Sequence, residues 1–299
     1  MNVLVNGASG YIGYYLTKEL AENGHKVYAV CRKNHGLLTN LPEMDNINVI
    51  TCGQDKLKDA VSGLKIDVWY HLLWEGACGP LRAEPALQLN NERMAVEAME
   101  LAASIGCGKI IFAGTVYERF VDSILENNNF SGSSFYIISK KHAHEKTFQL
   151  SKKLNIEYIW CQFCHPVGVY MNESQLIPGT VRSFLSGRSM EYGRCNRYFD
   201  IIDVADLAAA FRLLGEKKSA EAFYYIGSGK PRILREYIEE AAEICGYKGE
   251  ILFTDRDDGL VFRREWFDTE VFDSEFGFSA KHNFRDSITS ISEYYRGKI

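Results

Sequence analysis

The apolar positions of the chain first gather in a short run, Val3-Leu4-Val5, that stops at Gly7. From Tyr11 to Glu22 apolar side chains return at helical spacing, and the segment closes at Gly24. A second apolar run, Lys26 to Cys31, follows, so the opening reads strand, tight turn, helix, strand. Such a βαβ unit joins parallel strands through a right-handed crossover. The alternation continues, with strands predicted at Ile47 to Ile50, Asp67 to Leu73, Lys109 to Ala113 and Ile156 to Phe163. Helices are predicted at Leu87 to Ile105 and Phe135 to Leu154. This pattern predicts the α/β class, with a doubly wound parallel sheet.

Beyond Pro166 the pattern loosens into helical pieces near Ile177 to Ser186, Ala205 to Leu214 and Leu234 to Cys245, with aromatic and charged residues crowded between Phe253 and Phe284. The expected organisation is a dinucleotide-binding domain over residues 1–165 and a smaller, mainly substrate-binding α/β domain over 166–299. Part of 200–228, around Asp206 to Leu214, is expected to return to the main sheet.

Composition narrows the field. With 46% hydrophobic and 24% charged residues, a 299-residue chain can bury a full core, which excludes disordered and fibrous classes. Only 6 Pro and no Ser/Gly-rich tract argue against a flexible linker between independent modules. A formal net charge of −5 and the lack of a long Lys/Arg run make nucleic acid an unexpected partner. No apolar stretch approaches the roughly 20 residues of a membrane span, and no export signal opens the chain, so no membrane association and a cytoplasmic location are expected. The 8 cysteines then read as free thiols. Cys161-Gln162-Phe163-Cys164-His165 matches the CxxCH haem-attachment pattern, but its apolar setting reads as a buried strand. No metal site is expected.

Gly7, Gly10 and Gly13 are spaced GxxGxxG directly after the first strand, with Tyr11 and Ile12 inside the motif. Glycine allows so sharp a turn and lets a pyrophosphate approach backbone N–H groups at a helix N-terminus, so a Rossmann-type dinucleotide site is expected there. At the end of the second strand, where a carboxylate usually meets the ribose hydroxyls of NAD, stand Arg32 and Lys33. Two cations and no acid point to NADP, with NAD as the alternative.

Tyr136 and Lys140 are spaced YxxxK, which on a helix places phenol and ammonium on one face. A free phenol has a pKa near 10, and a neighbouring Lys⁺ together with the positive nicotinamide ring of a bound cofactor lowers it toward the range where it exchanges protons. The same spacing recurs at Tyr14/Lys18 and Tyr294/Lys298. Neither lies where a hydride-transfer site forms, beyond the carboxyl ends of the later strands.

A glycine loop at the N-terminus, Tyr136/Lys140 near mid-chain and a substrate region after them resemble the extended short-chain dehydrogenases, the family of NAD-dependent epimerases and dehydratases that modify sugar nucleotides. The resemblance implies a Ser or Thr some 20 to 25 positions before the tyrosine, and Thr115 is the matching residue. It also implies roles for Asp55 at the adenine, for Leu72 and Leu73 within His71-Leu72-Leu73-Trp74 as the cofactor wall, and for Asn91. Lys140 would also hold the nicotinamide ribose. The sequence departs from the family at His165-Pro166-Val167-Gly168, where an Asn usually precedes a YGP-like turn. His165 is therefore a candidate for substrate binding, as are Arg197, Arg263 and Arg264, whose guanidinium groups suit a diphosphate. Thr115-Val116-Tyr117 lacks the acidic pair of the dehydratases. The expected activity is an NADPH-dependent reductase of a nucleotide-linked 4-keto sugar, acting as a homodimer. An epimerase with tightly held NAD and a non-catalytic NADP-sensing protein are the alternatives.

Overall fold

In the computed structural model, which describes residues 1–33, 36–127, 130–257 and 259–298, the first apolar run is strand β1 (Asn2–Asn6) and the helical spacing after it is α1 (Tyr11–Glu22). Gly24, at φ 79°, turns the chain out of α1 through a conformation that side chains with a Cβ avoid. Strands β2 (Lys26–Cys31), β3 (Ile47–Thr51), β4 (Val68–His71), β5 (Lys109–Ala113) and β6 (Glu157–Gln162) follow. Between them lie α2 (Leu57–Val61), α3 (Pro85–Ser104), α4 (Val121–Asn127) and α5 (Ser134–Leu154). The chain divides into two compact units, Met1–Gln162 with Ala208–Tyr224, and Phe163–Leu207 with Tyr225–Ile299.

The first unit carries a seven-stranded sheet in the order β3-β2-β1-β4-β5-β6, followed by the short strand Phe223–Tyr225. All neighbours from β1 to β6 pair in parallel, in keeping with the expected fold class. The chain winds outward from β1 to β3 and then crosses back to β4. The strand order therefore reverses between β1 and β4, where open α/β sheets form a ligand crevice beyond the strand ends. Covered on both faces, β4 is buried along its whole length and reads as an unbroken apolar run. On one face the rings of Trp69, Phe112 and Trp160 pack with the small side chains Ala95, Ala98, Ala102 and Ala143 of α3 and α5. The strand predicted over Asp67 to Leu73 ends at His71: the Leu72 N–H still donates to Asn6 O at 2.9 Å, but the chain then turns away. Helix α3 starts at Pro85, two residues before its predicted start, because the fixed φ of proline suits the first helical position. Ala208 to Glu216 of the helix Val204–Glu216 belong to this unit, where Lys109 Nζ donates to Leu214 O at 2.8 Å and Lys217 O at 2.6 Å.

In the second unit the helices Leu176–Leu185, Leu234–Cys245 and Phe284–Arg296 pack on one another. The last is opened by a capping box in which Asn283 and Asp286 exchange bonds of 3.1 and 2.9 Å. Short strand pairs join His165–Val167 to Ile201–Asp203 and Tyr198–Phe199 to Arg232–Ile233. Pairs of two or three residues leave no periodic trace in a sequence. The aromatic crowding after Phe253 is core, with Phe262, Phe267, Phe272 and Phe276 all buried. Among the described residues no helix is long and apolar enough to cross a membrane.

Candidate active site

At the reversal of strand order a cavity of about 250 Å³ opens in the first unit. Its walls are Asn6, Gly7, Ser9 and Gly10 at the end of β1, residues 30–32 at the end of β2, 52–54 after β3, 72–75 after β4, and Asn90 and Met94 of α3. Gly7 sits at φ 93° with its α-carbon against the backbone of Leu73, where a Cβ would come within 3.0 Å of Leu73 N. A Cβ on Gly13 would lie 2.1 Å from Gly7 O, so α1 can start this close to β1 only with glycine at that position. Gly10 caps α1 without a side-chain hydrogen bond, and the first turn holds no acidic residue. Its amides are thus free of a competing carboxylate, and the helix dipole favours an anion there. The buried Asn6 Nδ2, in the cavity wall, has no hydrogen-bond partner. An unpartnered buried amide and glycines that leave room for a backbone-bound diphosphate fit a dinucleotide.

Of the residues expected at the cofactor, Gly7, Gly10, Arg32, Leu72 and Leu73 line this cavity. Tyr11, Ile12 and Gly13 form the first turn of α1 beside it. Asp55 and Lys33 are exposed and are not part of the wall; Gln54 and Gly53 stand where Asp55 was expected. Asn91 is buried and holds the backbone of Glu75 from both sides, accepting from its N–H at 3.0 Å and donating to its carbonyl at 2.7 Å. Arg32 Nη1 meets Glu75 Oε2 at 3.0 Å.

Tyr136 and Lys140 share the inner face of α5, and both are buried. Thr115 caps the turn Val116–Phe120 after β5: its Oγ1 accepts from Tyr117 N–H at 3.3 Å, and its hydroxyl faces the Tyr136 phenol and counters the effect of burial on it. The structure therefore brings the three expected catalytic groups together. Lys140 Nζ donates to Ala113 O at 2.7 Å and lies 3.8 Å from the ring centre of Trp74, which also lines the cavity. Burial pushes the Tyr136 phenol up to about 12, opposed by the Arg82 guanidinium and the Thr115 bond. Burial pulls Lys140 down to about 7, against the pull of Glu118, and the π face of Trp74 also favours its charged form. His71, buried and facing the Lys140 charge, is pulled down to about 3 and is neutral.

Arg82 and Glu118 carry no mark as functional residues in the sequence reading. Arg82 reaches from the loop before α3 to lie 4.6 Å over the Tyr136 ring and 4.9 Å over Tyr117. Nothing in a loop of that composition signals it. Glu118 is 1% exposed and accepts from Thr115 N–H at 2.8 Å, from the Trp160 indole at 3.1 Å, from Gln162 at 3.2 Å and from His144 Nδ1 at 3.2 Å. The Thr115-x-x-Glu118 capping box is the signal that could have revealed it.

In the second unit His165 lies 4.3 Å from the ring of Phe199, and Arg197 packs over the same ring at 5.1 Å while donating to Leu260 O at 3.0 Å. Arg264 lies over the adjacent Tyr198, whereas Arg263 packs on Trp266. Cys161 and Cys164 are buried free thiols, and Cys164 Sγ contacts His165 Nδ1 at 3.0 Å. No group of three or more metal-ligating side chains occurs among the described residues.

The model of the NAD dependent epimerase/dehydratase family matches residues 3–227. The chain belongs to this family. Membership makes it an NAD(P)-dependent enzyme with the Rossmann-type fold described above. Among relatives of the family, the dTDP-6-deoxy-L-talose 4-dehydrogenase (NAD(+)) of Aggregatibacter actinomycetemcomitans is 27% identical over 253 residues, covering 80% of this chain and 89% of that protein. UDP-glucose 4-epimerase 2 of Arabidopsis thaliana is 22% identical across 95% of this chain and 92% of its own length. The UDP-N-acetylglucosamine 4-epimerase of Methanobrevibacter ruminantium M1, solved with UDP-N-acetylmuramic acid, superposes with a TM-score of 0.82 at 18% identity, covering 100% of this chain and 99% of that one. MoeE5, solved with UDP-glucuronic acid and NAD, gives 0.80 at 22% identity and full coverage of both chains. At such identity the superpositions speak for the fold.

Proposed function

We propose that this family member reduces the 4-keto group of a nucleotide-linked 6-deoxy sugar, with Tyr136 as proton donor. The observation that carries the reading is the buried phenol itself. Held at about 12, Tyr136 keeps its proton throughout the neutral range and is suited to give it up to a developing alkoxide. Thr115 orients the phenol and offers a hydroxyl to the same substrate oxygen, and Lys140 supplies positive charge one helical turn away. A bound nicotinamide dinucleotide supplies the hydride to the carbonyl carbon. The expectation of NADPH rests on Arg32 and Lys33, of which only Arg32 lines the cavity. The cofactor roles of Asp55 and Asn91 narrow accordingly: Asn91 acts by holding Glu75, and Asp55 stands outside the wall. In the second unit His165, Arg197, Arg263 and Arg264 are the groups proposed for the nucleotide-linked part of the substrate. The relative named as a 4-dehydrogenase of a dTDP-6-deoxy sugar supports the choice of carbon and of sugar class. A cytoplasmic homodimer is the proposed setting, and sedimentation of the purified protein checks the dimer.

The test is turnover of a panel of dTDP- and UDP-linked 4-keto-6-deoxy sugars, followed by loss of reduced-nicotinamide absorbance. Stoichiometric loss with one of them supports the reductase. The relatives named as 4-epimerases favour a second reading. Protein that purifies with bound NAD and interconverts two sugar nucleotides with no added dinucleotide establishes that reading instead.

A further inference from the structure

The wall of the dinucleotide cavity contains a carboxylate that does not come from β2. Cys31 ends that strand and Arg32 follows it, so the position that usually offers an acid to the adenosine ribose offers a guanidinium. Glu75, delivered from beyond the end of β4, lines the same cavity and reaches Arg32 across it at 3.0 Å. Its main chain is fixed independently of its side chain by the two hydrogen bonds of the buried Asn91. With 40% and 42% of their side chains exposed, Arg32 and Glu75 form a pair that contributes little to stability. The pair is better understood by what it does to a ligand.

We propose that Glu75 is a specificity-determining residue of the dinucleotide site: its carboxylate accepts from the adenosine ribose hydroxyls and, by engaging Arg32, withholds that guanidinium from a 2′-phosphate. The inference rests on the reading of this cavity as the dinucleotide site. A ribose 2′-hydroxyl donates to Glu75 without disturbing the ion pair. Among the described residues of the wall Arg32 supplies the one guanidinium; a 2′-phosphate brings a second anion to it, and the two anions repel at close range. Lys33 is exposed outside the wall. The charges therefore favour NAD(H), and removing the Glu75 charge shifts the balance toward NADP(H).

The experiment is titration of NADH and NADPH, without sugar, into the unmutated protein, Glu75→Gln, Arg32→Gln and the double variant, read by nicotinamide fluorescence. Glu75→Gln is expected to lower the ratio Kd(NADPH)/Kd(NADH) by roughly tenfold or more, the size of one charge-assisted phosphate contact. In the Arg32→Gln background the same change is expected to move the ratio less, because only the direct repulsion between Glu75 and the 2′-phosphate remains to be removed. Melting curves check that all three variants stay folded. If the unmutated protein binds both dinucleotides and the ratio is the same in Glu75→Gln, or shifts equally with Arg32 absent, the assignment of Glu75 is overturned. If neither dinucleotide binds, the reading of the cavity fails and takes this inference with it.

Discussion

Replacing Tyr136 by Phe removes a single hydroxyl and leaves the rest of its surroundings in place. The ring keeps Arg82 over its face at 4.6 Å and the edge of Trp74 at 6.2 Å. Thr115 Oγ1 still accepts from Tyr117 N–H, so no buried acceptor is left bare. The stability cost should be about 1 kcal/mol or less, the net worth of a neutral hydrogen bond. The chemical cost is larger. With the phenol pushed to about 12, the protonated form dominates at neutral pH. Removing a positioned acid typically costs roughly 10²–10⁴-fold in rate. We therefore expect Tyr136→Phe to melt within a few degrees of the unmutated protein and to bind dinucleotide unchanged, while kcat falls by at least about 100-fold. The assay is steady-state oxidation of reduced dinucleotide with the best substrate from the sugar panel, alongside fluorescence titration and thermal melting. Because the acid is already protonated, kcat for reduction should not fall as pH drops from about 9 to 6 on account of Tyr136. Turnover within about threefold of the unmutated enzyme, at equal dinucleotide affinity, would refute the assignment and require another proton source.

Three further outcomes follow from neighbouring residues. Lys140, near 10.5 in an unfolded chain and about 7 here, binds its proton less well when folded; folding is penalised below pH 7, and the penalty is relieved as pH rises from about 7 to 10.5. Relative to Lys140→Met, the unmutated protein should gain melting temperature over that window, and parallel melting curves of the two proteins would contradict this. Glu118→Gln sets an amide N–H against donors whichever way it points, Thr115 N–H and Trp160 at one position or Trp160, Gln162 and His144 at the other, and should lower unfolding free energy by roughly 2–3 kcal/mol in denaturant titrations. Gly13→Ala places a methyl 2.1 Å from Gly7 O and 2.8 Å from Ala8 Cα; α1 must move off the glycine turn, and calorimetric titration should show dinucleotide affinity reduced by roughly tenfold or more.

What the sequence determined by itself is local in origin. The run Val3-Leu4-Val5, the helical spacing up to Glu22 and the stop at Gly24 each depend on residues a few positions apart, and β1 and α1 form where they indicate. The glycine turn was legible because its constraint is on the backbone. Tyr136 and Lys140 were legible because four residues are about one turn of helix, so any helix there must align them. What the tertiary structure decided depends on groups far apart along the chain. Arg32 meets Glu75 across 43 positions because the reversal of strand order sets β2 and β4 on either side of β1, and Glu118 meets Trp160 across 42 because the neighbouring parallel strands β5 and β6 are joined by a long crossover. Arg82 lands on the Tyr136 ring through the path of a loop, which no periodicity specifies. The effect of burial on the site was equally out of reach: the spacing YxxxK predicts a phenol lowered by its lysine together with a bound nicotinamide, and in the protein alone burial moves Tyr136 up and Lys140 down. Spacing reports which charges are neighbours, whereas the loss of water around them exists only once the sheet and its helices have closed over the site.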